Sequence, residues 1–306
     1  MSKTVFLFPG QGAQIVGMGS DLYNNSPAAK SIYDLADEIL GYKISALCFN
    51  GPVEELTRTC NAQPALLATS IAILRAAEEA EALPEANYVA GHSLGEYSAL
   101  VACGAMEFED ALKLVITRAS LMEEAGRANP GGMFALIGAD RELAEKVCAV
   151  TGMEVSNLNS PQQVVISGPA DILKTASATA TSLGVRKVIP LKVSGAFHST
   201  LMQPAAEGLK KALAGIKIKN ALVPLVANAT AGPITSADDI RHELEVQLLK
   251  PVLWQPSVEY MSKHGVTCFI EIGPGNVLTG LVKRIIPDAI LFNVSDMNSL
   301  HLIGVS

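Results

Sequence analysis

The stretch Gly91-His92-Ser93-Leu94-Gly95 limits what this chain can fold into more than any other. It comes directly after residues 87–91, which read as a β-strand, and directly before a helical pattern over residues 96–103. A serine at the corner between strand and helix, with glycine two residues to either side, is the pattern of a nucleophile elbow. Small residues at those positions permit a tight turn that lifts the hydroxyl out of the sheet. The helix N-terminus then offers the N–H of Leu94 to a developing oxyanion. The bare string recurs by chance, so a mere tight turn is the competing reading, and the rest of the chain has to decide between them.

β-rich runs at residues 4–8, 87–91, 223–227, 266–272 and 289–294 alternate with longer helical patterns. That alternation predicts an α/β fold on a mainly parallel sheet. One helix is expected to start behind Asn61, with Leu66, Leu67, Ile71 and Leu74 on one face. Another is expected over residues 107–126, stopped by Gly126. Between residues 130 and 190 the rhythm changes to strand (133–138), helix (140–150), strand (153–157), strand (163–167), helix (170–183) and strand (185–190). The order βαββαβ is that of a ferredoxin-like unit. It is entered through Asn129-Pro130-Gly131-Gly132, and the chain leaves it near residues 193–197. The expected organisation is a large α/β core from residues 1–129 and 191–306, a small subdomain from residues 130–190, and a ligand cleft between them.

With 306 residues, 49% of them hydrophobic, the chain can bury a real core. Its 23 Lys and Arg against 30 Asp and Glu give no basic footprint for nucleic acid. Five widely spaced cysteines, Cys48, Cys60, Cys103, Cys148 and Cys268, contain no Cys-x-x-Cys, which points to a reducing compartment and no metal. No apolar stretch approaches the roughly 18 residues of a membrane span, and residues 1–12 lack the features of a signal peptide. A cytoplasmic protein is expected, or a plastid stromal one if a transit peptide has been removed, with neither membrane nor nucleic acid as partner.

A serine hydroxyl needs a base, and the downstream candidates are His198, His242, His264 and His301. His198 is best placed, in the loop Ser194-Gly195-Ala196-Phe197-His198-Ser199 after a predicted strand. His242 and His264 fall in polar helical stretches and His301 in the tail. Position alone also fits a histidine that merely packs in its loop. His92, beside the serine, is expected to pack under the turn. Arg118 is surrounded on its helix by Leu114, Val115, Leu121 and Met122. A guanidinium on an apolar stripe requires an anion, so a distant carboxylate, a substrate carboxylate or a snorkelling stem are all open. Pro9-Gly10-Gln11-Gly12 follows the first strand and allows close backbone approach to a ligand. Gly273-Pro274-Gly275 reads as turn punctuation.

Taken together, PGQGAQ at 9–14, GHSLGE at 91–96, Arg118 in TRASLM, NLNSPQQVVISG at 157–168, GAFHS at 195–199, Q-x4-V-x-W from Gln247 to Trp254 and EIGPG at 271–275 resemble the malonyl-CoA:acyl carrier protein transacylases. The resemblance covers nearly the whole chain, with the motifs in the family's order. It implies an α/β-hydrolase-like parallel-sheet core with an inserted ferredoxin-like subdomain. It further implies Ser93 as nucleophile, His198 as general base and Arg118 as the clamp for a malonyl carboxylate. The N–H groups of Gln11 and Leu94 would form the oxyanion hole, and a main-chain or side-chain carbonyl of Gln247 would orient His198. Phe197 before the histidine resembles malonyl-selecting relatives, so methylmalonyl is expected to be a poor substrate. The implied substrates are malonyl-CoA and holo-acyl carrier protein, without a cofactor, and a monomer is expected. The rival readings are a transacylase serving polyketide or polyunsaturated fatty-acid assembly, a serine esterase or thioesterase, and a non-catalytic carrier-binding module.

Overall fold

Val5, Leu7 and Phe8 are fully buried because the first strand lies inside a sheet that is covered on both faces. The computed structural model describes residues 3–300. Its strands, in chain order, are β1 (Lys3–Phe8), β2 (Tyr88–Gly91), β3 (Gly131–Ile137), β4 (Glu154–Ser160), β5 (Gln163–Pro169), β6 (Lys187–Pro190), β7 (Leu225–Val226), β8 (Pro233–Ile234), β9 (Val266–Ile272) and β10 (Ile290–Val294). Strand periodicity sorts the side chains of β1 between two cores. Phe6 and Phe8 join the cluster built on the helix Thr59–Glu79, while Val5 and Leu7 join Trp254, Val258 and Leu278 on the opposite face.

The larger sheet has the order β10-β9-β1-β2-β7-β8, parallel throughout except for the β7–β8 pair at one edge. Phe8 pairs with Gly91, so β1 and β2 end side by side and their following loops meet at the carboxyl end of the sheet. In parallel sheets that end collects functional groups. The second sheet is antiparallel, β4-β5-β3-β6, and carries the helices Arg141–Thr151 and Leu173–Ser182 over its own core. This is the expected α/β architecture with a ferredoxin-like unit. The small sheet is tied by backbone to the segment that precedes the helix Trp254–Lys263: Val252 donates to the Ser156 carbonyl at 2.9 Å, and Leu158 donates to the Val252 carbonyl at 2.9 Å.

Two helix ends differ from expectation. The helix Thr59–Glu79 begins before Asn61, whose side chain instead donates to the Glu55 carbonyl at 2.9 Å and accepts from the Tyr42 hydroxyl at 3.0 Å. The helix Phe108–Ala128 runs past Gly126. That glycine is a contact residue rather than a stop, since a Cβ there would meet the Ser194 carbonyl oxygen at 2.3 Å. His301 lies outside the described residues.

Candidate active site

Ser93 turns the chain from β2 into the helix Gly95–Ala102 with φ of 50°, a left-handed backbone that a serine holds only under constraint. The flanking glycines are what make the corner possible. A Cβ on Gly91 would lie 2.0 Å from the Gly95 carbonyl, and one on Gly95 would lie 1.9 Å from the Phe8 carbonyl oxygen. Asn228 pins the turn from the side, accepting from the Ser93 N–H at 2.7 Å and donating to the Gly91 carbonyl at 2.7 Å.

Ser93 Oγ and His198 Nε2 are 2.7 Å apart. Nδ1 of the same ring faces only acceptors, the Gln247 carbonyl at 3.0 Å and the Lys250 carbonyl at 3.2 Å, so it carries the ring proton and Nε2 accepts from the serine. The orienting group at Gln247 is therefore its main-chain oxygen. Burial, and then the positive charge of Arg118, pull the His198 imidazole down to about 3, against the opposing pull of the Gln247 carbonyl. The ring is neutral, as a base must be. His92 packs beneath the corner, with Nε2 2.9 Å from Asn159 Oδ1 and its ring 5.6 Å from that of Trp254. It does not approach the serine hydroxyl as His198 does. His242 lies on the exposed side of the helix Ala237–Val246, and His264 caps the helix Trp254–Lys263, stacked on Tyr260.

Arg118 is 1% exposed, and its hydrogen bonds go to neutral groups. NH1 donates to Gln63 Oε1 at 2.6 Å, and NH2 donates to Ser93 Oγ at 3.0 Å and to Gln247 Oε1 at 3.0 Å. Its Nε finds no partner, and the guanidinium lies 5.3 Å from the centre of the Tyr97 ring. Every ion pair among the described residues lies elsewhere. Of the three fates open to this arginine, the structure therefore excludes both the direct carboxylate partner among the described residues and the snorkelling stem. What remains is a buried cation beside a nucleophile, with donor capacity unspent.

The serine, histidine and arginine open into a cavity of about 300 Å³ between the two sheets. Gln11 and Leu94 line it from the core, Met133, Ala135 and Val165 from the small sheet, and Phe197 beside the base. No group of three or more His, Cys, Asp or Glu side chains among the described residues converges as a metal site would. Sequence reasoning brought Ser93, His198, Arg118 and Gln247 to one point, but missed Gln63, Glu96 and Asn228. Glu96 is fully buried and accepts from the Asn228 N–H at 2.8 Å and from Gln247 Nε2.

A serine with a histidine base and a carboxylate-seeking arginine is the equipment of an acyl transferase, and comparison with known proteins agrees. The acyl transferase domain family matches residues 5–305. The chain belongs to that family. Over 307 residues it is 49% identical to a malonyl CoA-acyl carrier protein transacylase of Bacillus subtilis, covering 99% of this chain and 96% of that one. A solved acyl carrier protein S-malonyltransferase of Vibrio cholerae superposes with a TM-score of 0.94 at 42% identity, covering 99% of this chain and all of the other. A malonyl-transacylase solved in complex with its type II PKS acyl-carrier protein superposes with a TM-score of 0.95 at 40% identity, covering 99% of both chains. Among the described residues of this family member, no helix is long and apolar enough to cross a membrane.

Proposed function

We propose that this chain moves a malonyl group from malonyl-CoA to the phosphopantetheine thiol of an acyl carrier protein, through an ester on Ser93, for fatty-acid synthesis. The observation that carries the reading is that one serine oxygen lies 2.7 Å from a neutral histidine nitrogen and 3.0 Å from a buried arginine that has no carboxylate partner among the described residues. Ser93 passes its proton to His198 Nε2 as Oγ attacks the thioester carbonyl, and the N–H groups of Gln11 and Leu94 are assigned to the oxyanion. The C–S bond breaks and His198 returns the proton to the departing coenzyme A thiolate. Arg118, taking the distal carboxylate in its guanidinium fork, fixes malonyl rather than an uncharged acyl group. The carrier thiol then gives its proton to His198 and attacks the ester, and Ser93 recovers the proton when the C–O bond breaks. Thioester is exchanged for ester and back, so the balance calls for no metal or redox cofactor. The walls given by Phe197 and the small sheet keep water from the ester in the interval. Bacterial relatives such as that of Bacillus subtilis support a cytoplasmic setting.

The test is intact-protein mass after brief mixing with malonyl-CoA, with peptide mapping and a Ser93→Ala control, followed by holo-carrier. A malonyl adduct on Ser93 that moves to the carrier is the expected result. An adduct lost to water with no gain on the carrier would mean a hydrolase, and no adduct at all would mean a fold without the chemistry.

A further inference from the structure

Arg118 presents a problem of charge. It is buried, and an uncompensated buried cation is costly, yet a directly paired carboxylate would occupy the fork that a substrate must use. The structure resolves this with an amide. Gln247 Oε1 accepts from Arg118 at 3.0 Å, while Nε2 of the same side chain donates to Glu96 Oε2 and to the Ser93 carbonyl, the latter at 3.0 Å. Glu96 Oε1 accepts from the Asn228 N–H at 2.8 Å. Both partners of Glu96 are donors, which is the pattern of an ionised carboxylate. Burial, and then the carboxyl of Glu243, raise Glu96 well above the usual carboxylate range against the pull of the Asn228 N–H, the Gln247 amide and the charge of Arg118. The two donors at its oxygens are the geometry that favours the ionised form against that shift.

We propose that Glu96 is the positioning residue of the arginine clamp: it fixes the Gln247 amide with its oxygen toward Arg118 and supplies the counter-charge one amide away, leaving the guanidinium unsaturated for a substrate carboxylate. The inference rests on the reading of Arg118 as that clamp. A glutamine at 96 keeps the shape but has one acceptor where two donors point. Either Gln247 turns its NH2 toward the guanidinium, or the Asn228 N–H loses its acceptor. The first outcome misdirects Arg118.

The experiment compares kcat/KM for malonyl-CoA and acetyl-CoA, with holo-carrier as acceptor, in wild type, Glu96→Gln, the exchange Glu96→Gln with Gln247→Glu, and Arg118→Ala. Glu96→Gln is expected to lower the malonyl-to-acetyl ratio about tenfold, the factor attached to one charge-assisted hydrogen bond. The exchanged pair places the carboxylate directly on Arg118 and is expected to lower the ratio further, even though a carboxylate is still present. An unchanged ratio in Glu96→Gln, whether both rates hold or both fall together, would sink the proposal, because a residue that only supports the corner affects both acyl groups alike. Should Glu96→Gln fail to fold, the exchanged pair decides, and a restored malonyl preference there would equally overturn it. Arg118→Ala separates the two ideas: equal loss of malonyl and acetyl transfer in that variant defeats the clamp itself, whatever Glu96 does.

Discussion

The Ser93 oxygen sits between a base and a cation, and the two neighbours govern different properties. Arg118→Ala removes the fork for the distal carboxylate while leaving the 2.7 Å serine–histidine contact in place. Loss of one charge-assisted bond should cost about 10- to 150-fold in malonyl preference over acetyl, with acetyl transfer kept or raised, as read from competing thioester substrates. His198 governs pH dependence. Its folded value, about 3, lies below the ordinary 6.5, so the neutral, proton-accepting ring persists at every pH above about 3. The single-turnover rate of Ser93 acylation should therefore stay flat from about pH 8 to about pH 5, and a half-loss centred near the ordinary histidine value would show that the ring is far less shielded than its surroundings require.

The elbow is a property of elements, since β1, β2 and the helix Gly95–Ala102 meet there with no room for another atom. In Gly95→Ala the new methyl group collides with the Phe8 carbonyl, backbone against backbone, and nothing flexible can yield. The expected cost is at least about 1–3 kcal/mol by denaturant unfolding, together with loss of the malonyl adduct. Asn228→Ala strips partners from the Ser93 N–H and the Gly91 carbonyl, for a cost of about 1–3 kcal/mol and slower acylation, because the left-handed serine is no longer held. These elements also show how far the sequence could be read. β9 was legible over its full length because Val266–Ile272 is a bounded, β-rich run, and the elbow was legible because strand, serine and glycines are adjacent in the chain. Gly126 misled because a glycine needed for contact with Ser194 looks the same in sequence as one that ends a helix. Asn228 and Gln63 carried no signal, and Glu96 stood in the GHSLGE motif without a legible role, since their partners lie far off in the chain. Asn228 is 135 residues from Ser93, and Gln247 is 151 residues from Glu96.

At the scale of the whole molecule, the cavity lies where the loops at the carboxyl end of the large sheet meet the small sheet. The loop that supplies the Gln247 and Lys250 carbonyls to His198 continues into Val252, which pairs with Ser156 and Leu158 of the small sheet. Orientation of the base and closure of the cleft are thus consequences of the same backbone junction. The small sheet contributes the buried, apolar side chains Met133, Ala135 and Val165 to the wall, beside the polar Asn157, Asn159 and Gln163. If that wall protects the ester, then polarity there should affect the fate of the acyl-enzyme rather than its formation. Val165→Thr keeps the shape and introduces a hydroxyl, at a stability cost of about 1–3 kcal/mol if it finds no partner. The malonyl adduct should form on Ser93 at nearly the wild-type rate, but its loss to water in the absence of carrier should rise severalfold when followed by intact-protein mass over time. An adduct as long-lived as wild type would mean that the small sheet serves to position substrates and that water is excluded from the core side, by Phe197 and the loop of Gln11.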